Sequence, residues 1–157
     1  MSATTPTTAV LHYSAPPVVG GVEAVMEAHA RVFLHMGYPL TIIAGQGSPA
    51  ALPGGCDLQL MPMLDTQHPA VLAAGEQLEQ GQIPPNFAAL AAAVKKELAA
   101  QLGRFDNLIV HNIFTKHFNL PLTAALFELL DDGVINNCIA WHHDFTWTSP
   151  RSRSKVH

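Results

Sequence analysis

Two histidines and a carboxylate stand side by side in the run His142-His143-Asp144. If one imidazole donates to Asp144, its tautomer is fixed and its other nitrogen can accept a proton or a hydrogen bond from a ligand hydroxyl. Neighbouring residues of an extended segment point to opposite sides, so the two imidazoles rarely bind one ion and we expect no metal. A pair of solvated loop histidines without a chemical role is the simpler alternative.

A second candidate is the turn Gly20-Gly21-Val22-Glu23, which opens a helix. Paired glycines let the backbone approach a ligand closely, and the free amides of a helix N-terminus favour an anionic or sugar oxygen. Neither G-x-G-x-x-G nor a P-loop pattern occurs, so nicotinamide-dinucleotide binding and P-loop NTPase chemistry lose their main support. The alternative is a plain turn that needs glycine geometry.

Other polar and aromatic residues carry weaker signals. His111-Asn112 follows an apolar run, where a histidine is often structural. Trp141 precedes the histidine pair, and its indole face could stack on a sugar or dock a second domain. His29 falls on the apolar stripe of a helix and is expected in the core, whereas His12 could project to the site or simply pack.

These candidates need elements that bring them together, and hydrophobic periodicity supplies those elements. Apolar or alternating runs predict strands, and spacings of three and four predict helices. The predicted strands cover 9–13, 40–44, 57–63, 107–111 and 137–141, and the predicted helices 22–36, 70–79, 87–102 and 121–130. This alternation predicts an α/β, Rossmann-like three-layer domain with a mainly parallel sheet, whose ligands bind at the carboxyl ends of the strands.

Composition limits the class of protein. The formal net charge of −4 and the absence of a basic run before the tail argue against non-specific nucleic-acid binding. The chain has two cysteines without C-x-x-C spacing, and we expect a cytoplasmic protein with at most a peripheral membrane contact. We expect residues 1–8 to be a disordered lead-in, 9–148 the domain, and 149–157 a truncated tail.

The order of these motifs resembles the N-terminal domain of GT-B glycosyltransferases, closest to family 4, the glycosyltransferase group 1 type. The resemblance runs from Val10 to Thr148. It rests on the Gly-Gly-x-Glu turn after the first strand, on Gly37 before the second strand, on the strand ending at His111, and on the strand followed by His142-His143. Tyr38 stands where the family has histidine.

The resemblance implies an enzyme of two Rossmann-like domains that retains anomeric configuration, usually without a metal or other cofactor. The N-terminal domain would hold a sugar, lipid or polyol acceptor, and a C-terminal domain absent from this chain would bind the nucleotide-diphosphate sugar. Gly20-Gly21 would approach donor or acceptor. His142 or His143 would lie near the reacting centre, and we favour His143 because it directly precedes Asp144.

The remaining turn and strand-end residues named above complete the expected substrate site, namely Val22, Glu23, His111, Asn112 and Trp141. The truncation would explain the apolar content of 48% and would leave this chain inactive alone. The alternative is a self-sufficient, non-catalytic α/β module that binds a small ligand or nucleotide. A receiver-type regulatory domain lacks the acidic cluster that it needs after the first strand.

Overall fold

The computed structural model describes residues 5–152, and their core is a five-stranded parallel sheet. The strands are β1 (Thr8–Leu11), β2 (Leu40–Ala44), β3 (Asp57–Leu60), β4 (Asn107–His111) and β5 (Cys138–Trp141). They lie in the order β3-β2-β1-β4-β5, with Val10 aligned to Ile42 on one side and to Ile109 on the other. The predicted α/β class with a Rossmann-like parallel sheet is confirmed.

Helices cover both faces of this sheet, which makes three layers. They are α1 (Gly21–His35), α2 (Pro69–Glu79), α3 (Phe87–Leu102) and α4 (Leu120–Asp131). Met26 and Ala30 of α1 pack against one face, together with Val10 and Ile42. The opposite face packs against α3 and α4, because alternate strand residues such as Leu11 and Val110 point there. Burial on both faces explains why the inner strands are continuously apolar.

The strand order creates a switch point between β1 and β4. The chain leaves β1 through α1 on one face, whereas it enters and leaves β4 through α3 and α4 on the other. At such a point the neighbouring connections diverge and leave a crevice beyond the carboxyl ends of the two strands. Any site of this domain is therefore expected beside the residues that follow β1 and β4.

Several predicted boundaries and faces need correction. The strand predicted over 57–63 ends at Leu60, because Pro62 opens a 3-10 turn, Pro62–Leu64. The side chains of Val32 and Met36, predicted to face inward, are 55% and 65% exposed. They border an apolar groove beside Ile139 of the edge strand β5, where no helix among residues 5–152 covers the sheet.

The chain ends also differ from expectation where they can be described. Thr8 belongs to β1, and the backbone amide of Thr7 donates to the Asp106 carboxylate at 2.7 Å, so the predicted disordered lead-in does not extend over these two residues. Residues 1–4 and 153–157 lie outside the described range. Within that range no helix has the length and apolar character needed to cross a membrane.

Candidate functional site

Three histidines meet where β1, β4 and β5 end. The Nδ1–H of His12 donates to the backbone carbonyl of His111 at 3.0 Å. His143 Nε2 lies 3.4 Å from His111 Nδ1, and the two rings stack with centroids 5.6 Å apart. His111 therefore connects the segment after β1, through His12, with the segment after β5, through His143.

His111 is the centre of this cluster and is fully buried. Burial, reinforced by the imidazoles of His29, His12, His143 and His142, lowers its pKa to about 3. Its Nε2 has no hydrogen-bond partner within residues 5–152. His111 is consequently a neutral ring at physiological pH, and it holds the His143 ring by stacking against it.

His29 and Trp141 flank His111 on the α1 side of the sheet. The His29 ring meets the Trp141 indole edge-on, with centroids 4.7 Å apart, and it lies 5.4 Å from the His111 ring. Burial, with a smaller contribution from His143, lowers the pKa of His29. His29 thus joins the histidine cluster as well as the packing of α1, while Trp141 remains 42% exposed outside the polar cleft described below.

Glu23 is buried, although it lies off the apolar stripe of α1. Its carboxylate accepts a hydrogen bond from Ser14 Oγ at 2.5 Å. Its carboxylate lies 3.9 Å from His12 Nε2. Both contacts, from Ser14 and His12, come from the segment after β1, so the pattern within α1 could not predict this burial.

Of the two glycines before Glu23, only Gly20 is required by the packing. Gly20 precedes the first turn of α1, and a Cβ added to it would lie 2.2 Å from the Glu23 Oε2 atom. The space that Gly20 leaves is filled by that carboxylate, which also places a negative charge at the positive end of the helix. This carboxylate argues against the binding of an anion at the Gly20-Gly21 turn. Gly21 has no atom near its open side.

The histidine pair after β5 points to opposite sides, as the extended-segment argument expects. His142 Nδ1 lies 3.1 Å from Thr115 Oγ1, whereas the His143 ring stacks on His111. The backbone amide of His143 donates to Asn112 Oδ1 at 2.8 Å. The idea that Asp144 orients an imidazole is wrong, because its carboxylate forms an ion pair with Lys116. His143 is held through Asn112 and His111 instead.

Asn112 makes the turn that carries this arrangement. Its φ of 57° lies in the left-handed region, which asparagine tolerates better than other side chains with a Cβ. The turn directs the Asn112 amide back toward the segment after β5. A strand-ending histidine followed by asparagine is the sequence signal for such a turn.

These strand ends surround an open cleft with a volume of about 400 Å³. This is within the range of roughly 300–1,000 Å³ that small-molecule sites occupy. We call it the polar cleft; its lining residues are His12, Tyr13, Ser14, Val22, Thr66, Asn112, Lys116, Phe118 and Asp144. Of the predicted site residues, Val22, Asn112 and Asp144 line it directly, while Gly20 borders a separate cleft.

The sequence failed to assign a role to His12, although this residue has the most defined chemistry in the polar cleft. Since a carbonyl can only accept, the contact with the His111 carbonyl places the ring proton on His12 Nδ1 and leaves the lone pair on Nε2. Burial lowers the pKa of His12, and the backbone hydrogen bond and Glu23 offset only part of that shift. His12 Nε2 is therefore a neutral acceptor, and the Glu23 carboxylate lies 3.9 Å from it.

The described part of the chain contains no group of three or more His, Cys, Asp or Glu side chains arranged to hold a metal ion. The residues that line the polar cleft offer hydrogen bonding by imidazole, hydroxyl and amide groups, beside the Lys116–Asp144 ion pair. No protein-family model matches the chain, and no curated protein matches it.

Proposed function

We propose that this chain is the acceptor-side domain of a retaining glycosyltransferase, which transfers a sugar from a nucleotide-diphosphate sugar to an acceptor hydroxyl. The observation that carries the proposal is His12, whose fixed tautomer supplies a neutral acceptor nitrogen on the wall of the polar cleft. The order of motifs, from the Gly-Gly-x-Glu turn to His142-His143, supports the particular enzyme class.

The charges around the polar cleft favour a neutral, hydroxyl-rich ligand over a phosphate. The Glu23 carboxylate lies at the start of α1 and would repel an anion there. Lys116, a cation on the cleft wall, is already paired with Asp144. On this proposal the neutral acceptor binds here, and the donor diphosphate is held by groups outside residues 5–152.

His12 and His143 would contact the acceptor in different ways. His12 Nε2 accepts a hydrogen bond from the acceptor hydroxyl, and Glu23 at 3.9 Å favours any positive charge that develops on the ring. His143 does not line the polar cleft, but it is exposed and lies between two lining residues, since its amide donates to Asn112 and Asp144 follows it in the chain. On this proposal its ring contacts other sugar hydroxyls. His111 is a positioning residue beneath it.

The cysteines bear on the cellular compartment. Both cysteines, Cys56 and Cys138, are free thiols. Free thiols suit a reducing compartment, and we propose that the protein acts in the cytoplasm, with no cofactor beyond its nucleotide-sugar substrate.

Two histidine variants test the proposal, in the enzyme expressed from its complete gene, by nucleotide release with a panel of nucleotide sugars. His12→Asn keeps a donor near the Nδ1 position but deletes Nε2, and His143→Ala removes the exposed ring beside Asn112. Each is expected to lower transfer at least tenfold with unchanged thermal unfolding. His35→Ala, an exposed histidine at the end of α1, is the matched control.

Binding by the chain alone separates the proposal from a nucleotide-binding module. Saturation-transfer NMR with methyl glycosides, polyols and nucleoside diphosphates should detect the neutral sugars and lose them in His12→Asn. Transfer that is unaffected by both histidine variants would overturn the assigned roles. A chain that binds nucleotides and no sugar would instead be the non-catalytic module.

A further inference from the structure

A second cleft adjoins the polar cleft and has a different character. It has a volume of about 380 Å³ and lies between α2 and the start of α4. We call it the apolar cleft, since it is lined by the large apolar side chains Val71, Leu72, Leu78, Phe118 and Leu120, beside the polar residues Thr66, Gln67, Glu76, Glu79 and His117. Thr66 and Phe118 line both clefts, so the two clefts are adjacent at these residues. Leu72 and Phe118 are each 44% exposed, which leaves apolar surface open at the junction.

Gly75 lies in the middle of α2 and lines the apolar cleft. A glycine inside a helix costs about 1 kcal/mol relative to alanine. Packing does not require it, because a Cβ built on Gly75 would have no atom within 4 Å. The consequence of the glycine is an open wall, which any larger residue would narrow.

Tyr13 gives independent support for a ligand at the junction of the clefts. The residue is only 5% exposed and lines the polar cleft, yet its hydroxyl has no hydrogen-bond partner within the described range. Its ring meets Phe118 edge-on with centroids 6.0 Å apart. A buried hydroxyl without a partner costs free energy, and a ligand oxygen at the junction would supply the missing bond.

The charges of the apolar cleft define which ligand suits it. Glu76 lines it beside the apolar residues, and its exposed carboxylate would repel an anionic group. We propose that the two clefts form one site for an amphiphilic acceptor, with its hydroxylated head in the polar cleft and an uncharged alkyl or aryl group in the apolar cleft. This inference rests on the proposed function for the head group.

The test compares the dissociation constants of methyl and octyl β-D-glucoside, of the corresponding mannosides, and of octyl sulfate, all below their micelle concentrations. The octyl glycosides should bind the chain at least tenfold more tightly than the methyl glycosides, and octyl sulfate should bind weakly. Gly75→Leu should remove this gain. Ala73→Leu, on the exposed side of the same helix and outside the cleft lining, should keep it.

The outcomes separate this inference from the proposed function. If methyl and octyl glycosides bind equally, or if Gly75→Leu keeps the gain, the apolar subsite is refuted while sugar binding stands. If no glycoside binds, the proposed function fails and this inference fails with it. Octyl sulfate binding as tightly as octyl glucoside would refute the choice of an uncharged tail. Gly75→Ala, which suits a helix, is the second variant and should reduce the gain partially.

Discussion

Replacing His111 by phenylalanine should reduce the sensitivity of the fold to acid. The pKa of His111 is lowered from 6.5 to about 3, mainly by burial and then by its neighbouring imidazoles. The unfolded chain therefore binds a proton that the folded chain refuses, throughout the window between those two values. The contribution of neutral His111 to the free energy of unfolding is therefore complete above pH 6.5 and is lost as the pH falls toward 3.

The size of this effect follows from proton linkage. One proton bound only by the unfolded state costs about 1.4 kcal/mol for each pH unit, or about 2 kcal/mol between pH 6.5 and pH 5. That is a large share of the roughly 5–15 kcal/mol by which domains are stable. Burial also lowers the pKa values of His12, His29 and His142, so the parent protein should lose stability faster than one proton explains.

Urea unfolding at pH 7.0, 6.5, 6.0, 5.5 and 5.0, followed by tryptophan fluorescence, measures the slope. His111→Phe keeps an aromatic ring but cannot titrate, so between pH 7 and pH 5 it should lose about 2 kcal/mol less stability than the parent. The difference in slope should approach about 1.4 kcal/mol per pH unit at the acid end of this range. His35→Gln removes an exposed histidine and should retain the parent slope. Equal slopes for the parent and His111→Phe below pH 6.5 would refute the reasoning.

Three further substitutions are expected to lower the free energy of unfolding, measured in urea at pH 7. Glu23→Ala, which leaves the partly buried Ser14 hydroxyl without its acceptor, should cost about 1.5–3 kcal/mol. Glu27→Ala removes only an i,i+4 pair and should cost about 0.5 kcal/mol; equal losses would contradict the burial argument. Asn119→Ala removes the N-cap of α4 and two hydrogen bonds to carbonyls, so it should cost about 2–4 kcal/mol, and a loss below about 1 kcal/mol would refute that role. Gly45→Ala would put a Cβ 2.0 Å from a backbone nitrogen and should cost more than about 3 kcal/mol, whereas Gly54→Ala, which meets no atom, is the control and should change little.

The sequence predicted the fold class because its strands and helices alternate with distinct periods. It also pointed to the strand ends at His111 and His143, since parallel strands present their carboxyl ends at one edge of the sheet. It could not predict that Lys116 would take the Asp144 carboxylate. The two residues are distant in sequence, and only the tertiary packing of the loops after β4 and β5 brings them together.

His12 and Glu23 show the same boundary between local pattern and tertiary structure. A histidine at the end of an apolar strand is compatible with the core and with a site, and nothing in its neighbourhood distinguishes the two. Its tautomer depends on the carbonyl of His111, which lies 99 residues away. Glu23 lies off the apolar stripe of α1, and a helical pattern does not predict burial for a charged residue there. Its partners Ser14 and His12 come from the segment after β1.

The departures from local rules collect at the β1–β4 switch point, which is itself an argument for a site there. Within residues 5–152, four side chains bury a polar atom without a partner: Tyr13, His29 and His111 lie near this point, and Gln59 lies on β3. Asn112, directly after β4, adopts a left-handed backbone. Such costs persist where function requires them. If that explanation is correct, His111→Phe should be at least as stable as the parent at pH 7, because it removes an unsatisfied buried nitrogen. It should nevertheless bind methyl glycosides more weakly, because His143 loses its stacking and hydrogen-bonding partner. A variant that gains stability and keeps full sugar affinity would show that the histidine cluster serves packing alone.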